Sequence, residues 1–328
     1  MIRPEDDYFH PRNESPYWNE SAWFSFNVPD RSLNGLIYFW HRPNLGLTQA
    51  GVSVWDPTGS ELHDCLFHEF DHFQPLPAGA EMFDFSVDCG LTVACLEPQS
   101  RFRLEYSSAG CEFELDWTKI MDPLETPQVQ VDVLDRTCEG WGKGHYEQGG
   151  RIRGRVTVDG DVFDVDTFGT RDHTWGVRRM YHDMPRQGYE WGIASPDSSF
   201  LVHAVNRIPS DVDDLDKTVE DQFRGWYIKD GIRADMHQGS RQVVERAPDG
   251  RPLTVVVDGV DDLGRHLHTE GTCVNALRYP CHVFWLDNWC LTRWSLDGAT
   301  AWGETQDFVQ MQQNRRYLRK VRARSSAT

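Results

Sequence analysis

Polar and apolar residues alternate along much of this chain, which is the pattern of strands that bury one face. Arg151–Val158 alternates, Asp159 and Gly160 follow, and Asp161–Asp166 alternates again. Two alternating runs around Asp-Gly predict a β-hairpin, because a type I′ turn needs positive φ at both central positions. A second unit of this kind comprises Phe223–Lys229, Asp230 with Gly231, and Ile232–Met236.

Short strand-like runs recur through the rest of the chain, separated by turns rich in Gly, Pro and Asp. This spacing predicts an almost entirely β protein of sandwich or barrel type, divided into residues 1–185 and 186–328. Helical periodicity is scarce: Ser60–Phe73 is a candidate helix, and the basic run Arg315–Arg322 is interpreted as a solvated strand end and tail. The other predicted strands are Leu36–His41, Gly51–Trp55, Leu91–Leu96, Arg101–Tyr106, Glu112–Trp117, Tyr189–Ala194, Phe200–Asn206, Leu253–Val257 and Val283–Trp294.

Composition and charge narrow the class of partner. The 328 residues include 33 Lys+Arg and 51 Asp+Glu, a formal charge of −18, and 12% are aromatic. The aromatic content predicts a folded core, and the negative charge argues against binding nucleic acid or an anionic membrane surface. No apolar run approaches the roughly 20 residues of a membrane span, and no signal peptide is recognisable, so a cytoplasmic location without stable membrane insertion is expected. The eight cysteines show no framework spacing and are expected to be reduced thiols.

The densest group of polar and aromatic residues is Gly169–Arg178, with the sequence GTRDHTWGVR. A carboxylate beside an imidazole can act as an acid–base pair, and an indole face can stabilise a cation. Asp172, His173, Trp175 and Arg178 are therefore catalytic candidates, expected to converge on one partly enclosed, aromatic-lined cavity with Glu147 or Tyr146 close by. The alternative is a buried ion pair between Arg171 and Asp172, with the two rings closing a barrel end.

Two further segments hold candidate residues. Gly140–Gln148 contains Tyr146 and Glu147, which point in opposite directions if the segment is a strand, so that only one can face a common cavity. Gly188–Gly192 contains Tyr189, Glu190 and Trp191, for which ordinary strand positions are the alternative to a role in the site.

The run from His68 to His72 formally matches HExxH. That motif binds zinc only when the two histidines lie one helical turn apart and a third ligand is present. Because two prolines follow and no third ligand is evident, we predict no metal here, with His68 and His72 as surface or pocket residues. The chain has no P-loop, GxGxxG or GxSxG motif.

Thr170–Arg178 resembles the RDHSWG-x-R signature of the carotenoid 1,2-hydratase-like family, with Thr174 where serine is usual. That family includes the AttH-like proteins and an uncharacterised bacterial branch. Three weaker segments resemble other parts of the family: Trp18–Phe26 its "NESwyf" segment, His145–Gln148 its "hyEQ" stretch, and Ala301–Thr305 its closing "G-x-G-x-E" strand.

The resemblance implies two lipocalin-like antiparallel β-barrel domains side by side, with a ligand cavity near the domain interface. Family members with known activity hydrate isolated alkenes in carotenoids or isoprenoid side chains. Related fungal proteins hydrate prenylated phenolics or accelerate pericyclic ring closures. The resemblance implies no organic cofactor and a small hydrophobic substrate, for which the candidate binding residues here are Tyr189, Glu190, Trp191 and Trp141.

The leading hypothesis is a hydratase or dehydratase that protonates an alkene and adds water. Protonation to a tertiary cation needs a strong acid in an apolar pocket, where the pKa of a carboxyl group rises. Asp172 is the expected acid, His173 orients it or deprotonates the water, and Trp175 faces the cation. Arg178 and Glu147 are the expected supporting residues, and Tyr146 is expected to hold the water.

Two other functions remain open from the sequence. One is an isomerase, cyclase or pericyclase that uses the same cavity for shape and polarisation. The other is a non-catalytic carrier of a lipid or terpenoid, since barrels of this kind serve both purposes. A carrier needs only the apolar wall, so it would tolerate Asp172→Asn and His173→Gln. No oligomeric state follows from the sequence.

Overall fold

The computed structural model describes residues 2–125, 144–178, 186–205, 215, 219–282 and 285–326. Within these residues the chain is all β, apart from short 3₁₀ turns and one α-helix. Two compact units make up this structure: most residues up to Arg178 form the first, and Arg186 onwards form the second, which also includes Gly59–Leu62. The boundary near residue 185 stays a prediction, because it lies outside the described residues.

The first unit is a single curled antiparallel sheet. Its spatial order is β4-β3-β2-β1-β11-β10-β8-β7-β6-β5, with β9 added beside β10. One face, called the inner face here, carries the apolar core that includes Phe24, Phe26, Phe39 and Trp117; the opposite face is the outer face. The strands are β1 Trp18–Val28, β2 Leu33–Arg42, β3 Leu47–Trp55, β4 Phe67–Pro75, β5 Phe85–Ser86, β6 Leu91–Glu97, β7 Arg101–Ser108, β8 Cys111–Lys119, β9 Leu124–Glu125, β10 Gly144–Val158 and β11 Asp161–Val177.

The second unit closes into a barrel. Its strands are β12 Gln187–Ser195, β13 Ser198–Val205, β14 Val219–Glu220, β15 Gln222–Lys229, β16 Ile232–Arg246, β17 Pro252–Asp261, β18 His266–Cys273, β19 Leu277–His282, β20 Trp285–Leu296 and β21 Ala299–Gln310. Eight of them run in the order β16-β15-β13-β12-β21-β20-β18-β17, and β17 pairs with β16 to complete the ring. Apolar side chains that include Phe200, Val202, Tyr227 and Trp294 form its core. The prediction of an all-β, lipocalin-like fold is confirmed.

Both predicted hairpins are present. Asp159 and Gly160 have φ of 48° and 91°, and Asp230 and Gly231 have φ of 54° and 73°. These positive values match the turn type that the Asp-Gly pairs indicate. The hairpin of β10 and β11 matters most, because it carries the candidate residues of the first unit.

Two secondary-structure predictions are wrong. Ser60–Phe73 does not form a helix, since strand β4 begins at Phe67. The basic C-terminal run is not a strand end but the middle of helix α1, Met311–Ser325. Its Tyr317 packs with Leu286 and Val309 in a small apolar cluster, and this packing fixes a helix whose other faces are charged.

The cysteines and the helix bear on two further expectations from the sequence. All seven cysteines among the described residues are free thiols. In the part of the chain that the structure describes, no helix has the length and apolar character needed to cross a bilayer. The cytoplasmic location stays a prediction.

Candidate functional site

Strand β11 separates the catalytic candidates instead of gathering them. Its register with β10 places Asp172 opposite Glu147 and His173 opposite Tyr146. Cross-strand partners share a face and neighbours alternate, so Asp172 and Glu147 lie on the outer face, while His173, Tyr146 and Trp175 lie on the inner face. The expected convergence of Asp172, His173 and Trp175 is therefore wrong, because this segment is a regular strand. The predicted opposite facing of Tyr146 and Glu147 is confirmed.

His145, Glu147, Asp172 and Thr174 form the outer cluster. The ring of His145 lies between two partners, with Nε2 2.7 Å from Glu147 Oε1 and Nδ1 2.6 Å from Thr174 Oγ1. His145 Nδ1 is also 3.9 Å from Asp172 Oδ2. These distances bring two carboxyl groups and one imidazole together on one face of the sheet.

Strand β1 completes the surroundings of the outer cluster. The backbone N–H of Trp23 donates a 2.9 Å hydrogen bond to Asp172 Oδ1. Ser21 pairs with Thr174 and accepts a 2.9 Å hydrogen bond from the Arg178 guanidinium. Arg178 thus lies on the outer face, where its positive charge acts to lower the pKa of Asp172 against the larger effect of burial. Aromatic side chains continue this face across β1 and β2: Trp23, Tyr38 and Trp40.

The environment of Asp172 favours its neutral form. The residue is only 8% exposed. Burial, followed by the negative charge of Glu147, raises the pKa of Asp172 to about 7. Burial acts to lower the pKa of His145, but the charge of Glu147 and its hydrogen bond outweigh that effect and raise it. A carboxylic acid that remains partly protonated near neutral pH therefore lies beside a basic imidazole.

The inner face holds a buried arginine site. Arg171 donates to Asp7 Oδ1 at 3.0 Å, to Tyr146 Oη at 3.0 Å and to Gln148 Oε1 at 2.9 Å. Tyr146 also donates to Asp7, and the guanidinium lies 4.3 Å from the centroid of the Phe102 ring. The alternative pairing of Arg171 with Asp172 is absent, because the two side chains point to opposite faces.

His10, Glu20 and His173 form the inner cluster beside that arginine. His10 Nδ1 is 3.0 Å and His173 Nε2 3.4 Å from Glu20 Oε2. Burial acts to raise the pKa of Glu20, but the hydrogen bond with His10 and the nearby ring of His173 outweigh it and lower the pKa to about 2. Trp175 stacks on the His10 ring at 3.9 Å between centroids. A β-carbon on Gly144, opposite Trp175, would collide with the indole, so this position requires glycine.

Sequence patterns did not reveal Asp7, His10 or Glu20 as site residues. Asp7 meets Arg171 across 164 positions of the chain, and His10 reaches His173 only because the N-terminal segment covers the inner face. Glu20 was named only within the family-like segment Trp18–Phe26. Paired charges far apart in sequence leave no periodic signal, so only the folded chain shows them.

In the second unit, Glu190 is separated from its neighbours in the same way. It lies on the core side of the barrel, where its Oε1 is 2.5 Å from Arg241 Nε. Tyr189 and Trp191 lie on the opposite face, where Trp191 Nε1 donates to Glu304 Oε2 at 3.2 Å. Glu190 therefore does not share a face of the sheet with Tyr189 and Trp191. Trp141, the remaining binding candidate, lies outside the described residues.

The HExxH match lies on strand β4, where it lacks the helical geometry of a zinc motif. Four residues along a strand span about 13 Å, whereas one helical turn brings two histidines to the same ion. His68 Nδ1 instead lies 2.9 Å from Ser53 Oγ. The prediction that His68 and His72 bind no metal rests on this geometry.

Comparisons with known proteins agree with this fold. The model of a family described as "Domain of unknown function (DUF7064)" matches residues 3–314. An AttH candidate from Nitrosomonas europaea has a TM-score of 0.64 at 12% identity, over 94% of this chain and 96% of that one. Kievitone hydratase from Nectria haematococca has a TM-score of 0.52 at 10% identity, over 95% and 93%. CghA has a TM-score of 0.55 at 9% identity, over 90% and 89%. No curated protein matches the chain significantly in sequence.

These solved structures bear on the fold. With identities near a tenth, they show a shared fold and leave the reaction open. The resemblance to the carotenoid 1,2-hydratase-like family is confirmed at that level.

Proposed function

This chain belongs to the DUF7064 family, and we propose that it is an acid–base enzyme, a hydratase or dehydratase, acting on a hydrophobic isoprenoid or polycyclic substrate. The observation that carries the proposal is the outer cluster. Asp172 is buried opposite Glu147, its pKa is raised to about 7, and His145 lies 3.9 Å away. A carboxyl group can protonate an alkene only in its neutral form, and a pKa of about 7 keeps a large fraction of Asp172 in that form near neutral pH.

The proposed reaction adds one water molecule across a double bond. The Asp172 carboxyl group donates its proton to one alkene carbon, which leaves a tertiary cation on the other carbon and a carboxylate on Asp172. A water oxygen then bonds to the cation, and His145 takes the proton that this oxygen releases. Transfer from His145 to Asp172 restores both groups, so the net change is the addition of H and OH. Dehydration follows the same steps in reverse.

The structure changes which residues we assign to each role. His145 replaces His173 as the proposed base, because it shares the outer face with Asp172 and its ring is held by Glu147 and Thr174. Trp23 replaces Trp175 as the aromatic group proposed to face the cation, since its backbone already contacts Asp172. Arg178 and Glu147 remain as proposed supporting residues.

Tyr146, His173 and Trp175 leave the proposed catalytic set. All three lie on the inner face, and Tyr146 is bonded to Arg171 and Asp7. Tyr189, Trp191 and Trp141 stay as proposed substrate-binding residues. Glu190 leaves this set, because its buried carboxylate is paired with Arg241.

The test uses geranylgeraniol and a prenylated phenol as probes, incubated with the protein in water labelled with ¹⁸O. The proposal predicts an alcohol that carries ¹⁸O, formed by the wild type and lost in Asp172→Asn although the variant still binds the probe. A rearranged product without ¹⁸O would favour an isomerase, cyclase or pericyclase. Probes that are bound and recovered unchanged, equally by wild type and variant, would favour a carrier and contradict the proposal.

A further inference from the structure

The inner cluster has the donor set and spacing of a metal site. His10, Glu20 and His173 each offer one donor atom, and the three atoms lie within 4.8 Å of one another. Around a tetrahedral ion with bonds of about 2.0–2.2 Å, neighbouring donor atoms lie about 3.3–3.6 Å apart. The distances of 3.0 Å and 3.4 Å from Glu20 Oε2 to His10 Nδ1 and His173 Nε2 are close to that value.

The hydrogen bonding of His173 leaves a lone pair directed into the cluster. Its Nδ1 lies 2.8 Å from the backbone carbonyl oxygen of Asp6. A carbonyl oxygen only accepts, so Nδ1 carries the proton and the neutral ring has its lone pair on Nε2. Among the described residues, this fully buried Nε2 has no hydrogen-bond partner, although it faces the Glu20 carboxylate. Two electron-rich atoms facing each other in a buried site are favourable only with a cation or a proton between them.

The surroundings match those of histidine metal ligands in general. Such ligands usually donate their second N–H to a carbonyl or carboxylate, which fixes the tautomer and the ring direction. His173 does so with the carbonyl of Asp6, and His10 Nε2 lies 3.4 Å from the Asp6 carboxylate. Glu20 Oε1 accepts from Trp18 Nε1 at 3.2 Å and from the backbone N–H of His10 at 3.0 Å, and Oε2 is the carboxylate oxygen that faces both histidine rings.

We propose that His10, Glu20 and His173 bind one divalent first-row transition-metal ion, for which Zn²⁺ is the probe. Two imidazoles and one carboxylate are a common donor set for such ions and leave a fourth position open. The ion would join the N-terminal segment, through His10, to strands β1 and β11. The site is independent of the proposed hydratase chemistry, because the inner and outer clusters occupy opposite faces of β11.

The experiment measures zinc per chain after metal-stripped protein is loaded with Zn²⁺ and dialysed. We expect one ion per chain in the wild type, with affinity reduced at least tenfold in His10→Gln. His10 is the primary target because it lies in the partly exposed N-terminal segment, where a substitution leaves the sheet intact. His68→Gln is the matched control and should bind zinc as the wild type does.

A second measurement uses only the wild type, in case a variant fails to fold. Nitrogen NMR of the histidine rings should show that Zn²⁺ shifts the signals of His10 and His173 and leaves that of His145 in place. Absence of bound zinc, equal binding by His10→Gln, or loss of binding in His68→Gln would overturn the proposal. Neither measurement depends on turnover, so failure here is distinct from failure of the proposed function.

Discussion

Glu147 and Asp172 lie directly opposite each other on strands β10 and β11, so two carboxyl groups share the outer face of the first sheet. Two such groups in a site of low exposure cannot both ionise easily, and the pKa of Asp172 is raised to about 7 by burial and by the charge of Glu147. His145 lies between them and is bonded to Glu147. In this pair, Asp172 is the proposed proton donor, and Glu147 is the charged group that helps to keep it protonated.

Replacing Asp172 with asparagine should abolish most of the activity and preserve the fold. The amide keeps the size of the side chain and can still accept a hydrogen bond from the backbone of Trp23, but it has no acidic proton. Loss of a general acid costs about 10²–10⁴ in rate. Turnover of the ¹⁸O-labelled probe reaction and the far-ultraviolet circular dichroism spectrum check the two halves of this prediction.

The matched control is Asp166→Asn on the same strand. Asp166 is half exposed and forms a surface ion pair with Arg151. Because such pairs contribute little to stability and Asp166 lies outside the outer cluster, this variant should retain the activity of the wild type. A comparable loss of activity in both variants would show that the effect of Asp172→Asn is not specific to the outer cluster.

Activity should decline as the pH rises above about 7. Asp172 donates a proton, and with its pKa raised to about 7 the active, neutral form is lost as the pH passes through that value. Glu147→Gln removes the nearby negative charge, so it should lower the pKa of Asp172 and move the alkaline limb of the profile to lower pH. The midpoint of the pH–rate profile is the measurement. A midpoint that stays in place or rises would contradict the assigned role of Glu147.

The buried pair of Asp7 and Arg171 should contribute strongly to stability. Asp7→Ala leaves the guanidinium of Arg171 without its carboxylate in a fully buried site, which typically costs about 3–5 kcal/mol. Urea unfolding gives the change in the free energy of unfolding. The control is Asp116→Ala, which removes the carboxylate that pairs with Arg103. Both side chains are about half exposed, so a change of about 0–1 kcal/mol in the free energy of unfolding is expected. Equal changes in the two variants would contradict this account.

Gly144→Ala should destabilise the first unit through Trp175. The added methyl group would occupy the position of the indole ring, and forced overpacking of this kind costs about 1–3 kcal/mol. In the double variant with Trp175→Leu, the smaller leucine side chain should reduce the loss in the free energy of unfolding that Gly144→Ala causes. A double-mutant cycle with no coupling between the two positions would show that they do not compete for space.

Short-range sequence patterns predicted the turns of this structure and the alternation of side chains along its strands. The Asp-Gly hairpins and the alternation of Tyr146 and Glu147 follow from turn chemistry and from the period of a strand, and both are observed. The same alternation overturned the expected convergence of Asp172 with His173, since the glycine-flanked segment that holds them is a regular strand. His10 approaches His173 through tertiary packing, which no short-range pattern encodes.

The most direct test of the proposed chemistry is the ionisation of Asp172 itself. Carbon NMR of aspartate carboxyl groups, compared between wild type and Asp172→Asn, identifies the Asp172 signal and follows it with pH. The account predicts a titration midpoint near pH 7, and a lower midpoint in Glu147→Gln. A midpoint near the ordinary aspartate value of about 3.9 would mean that Asp172 is ionised at neutral pH, and it would contradict its assignment as the acid.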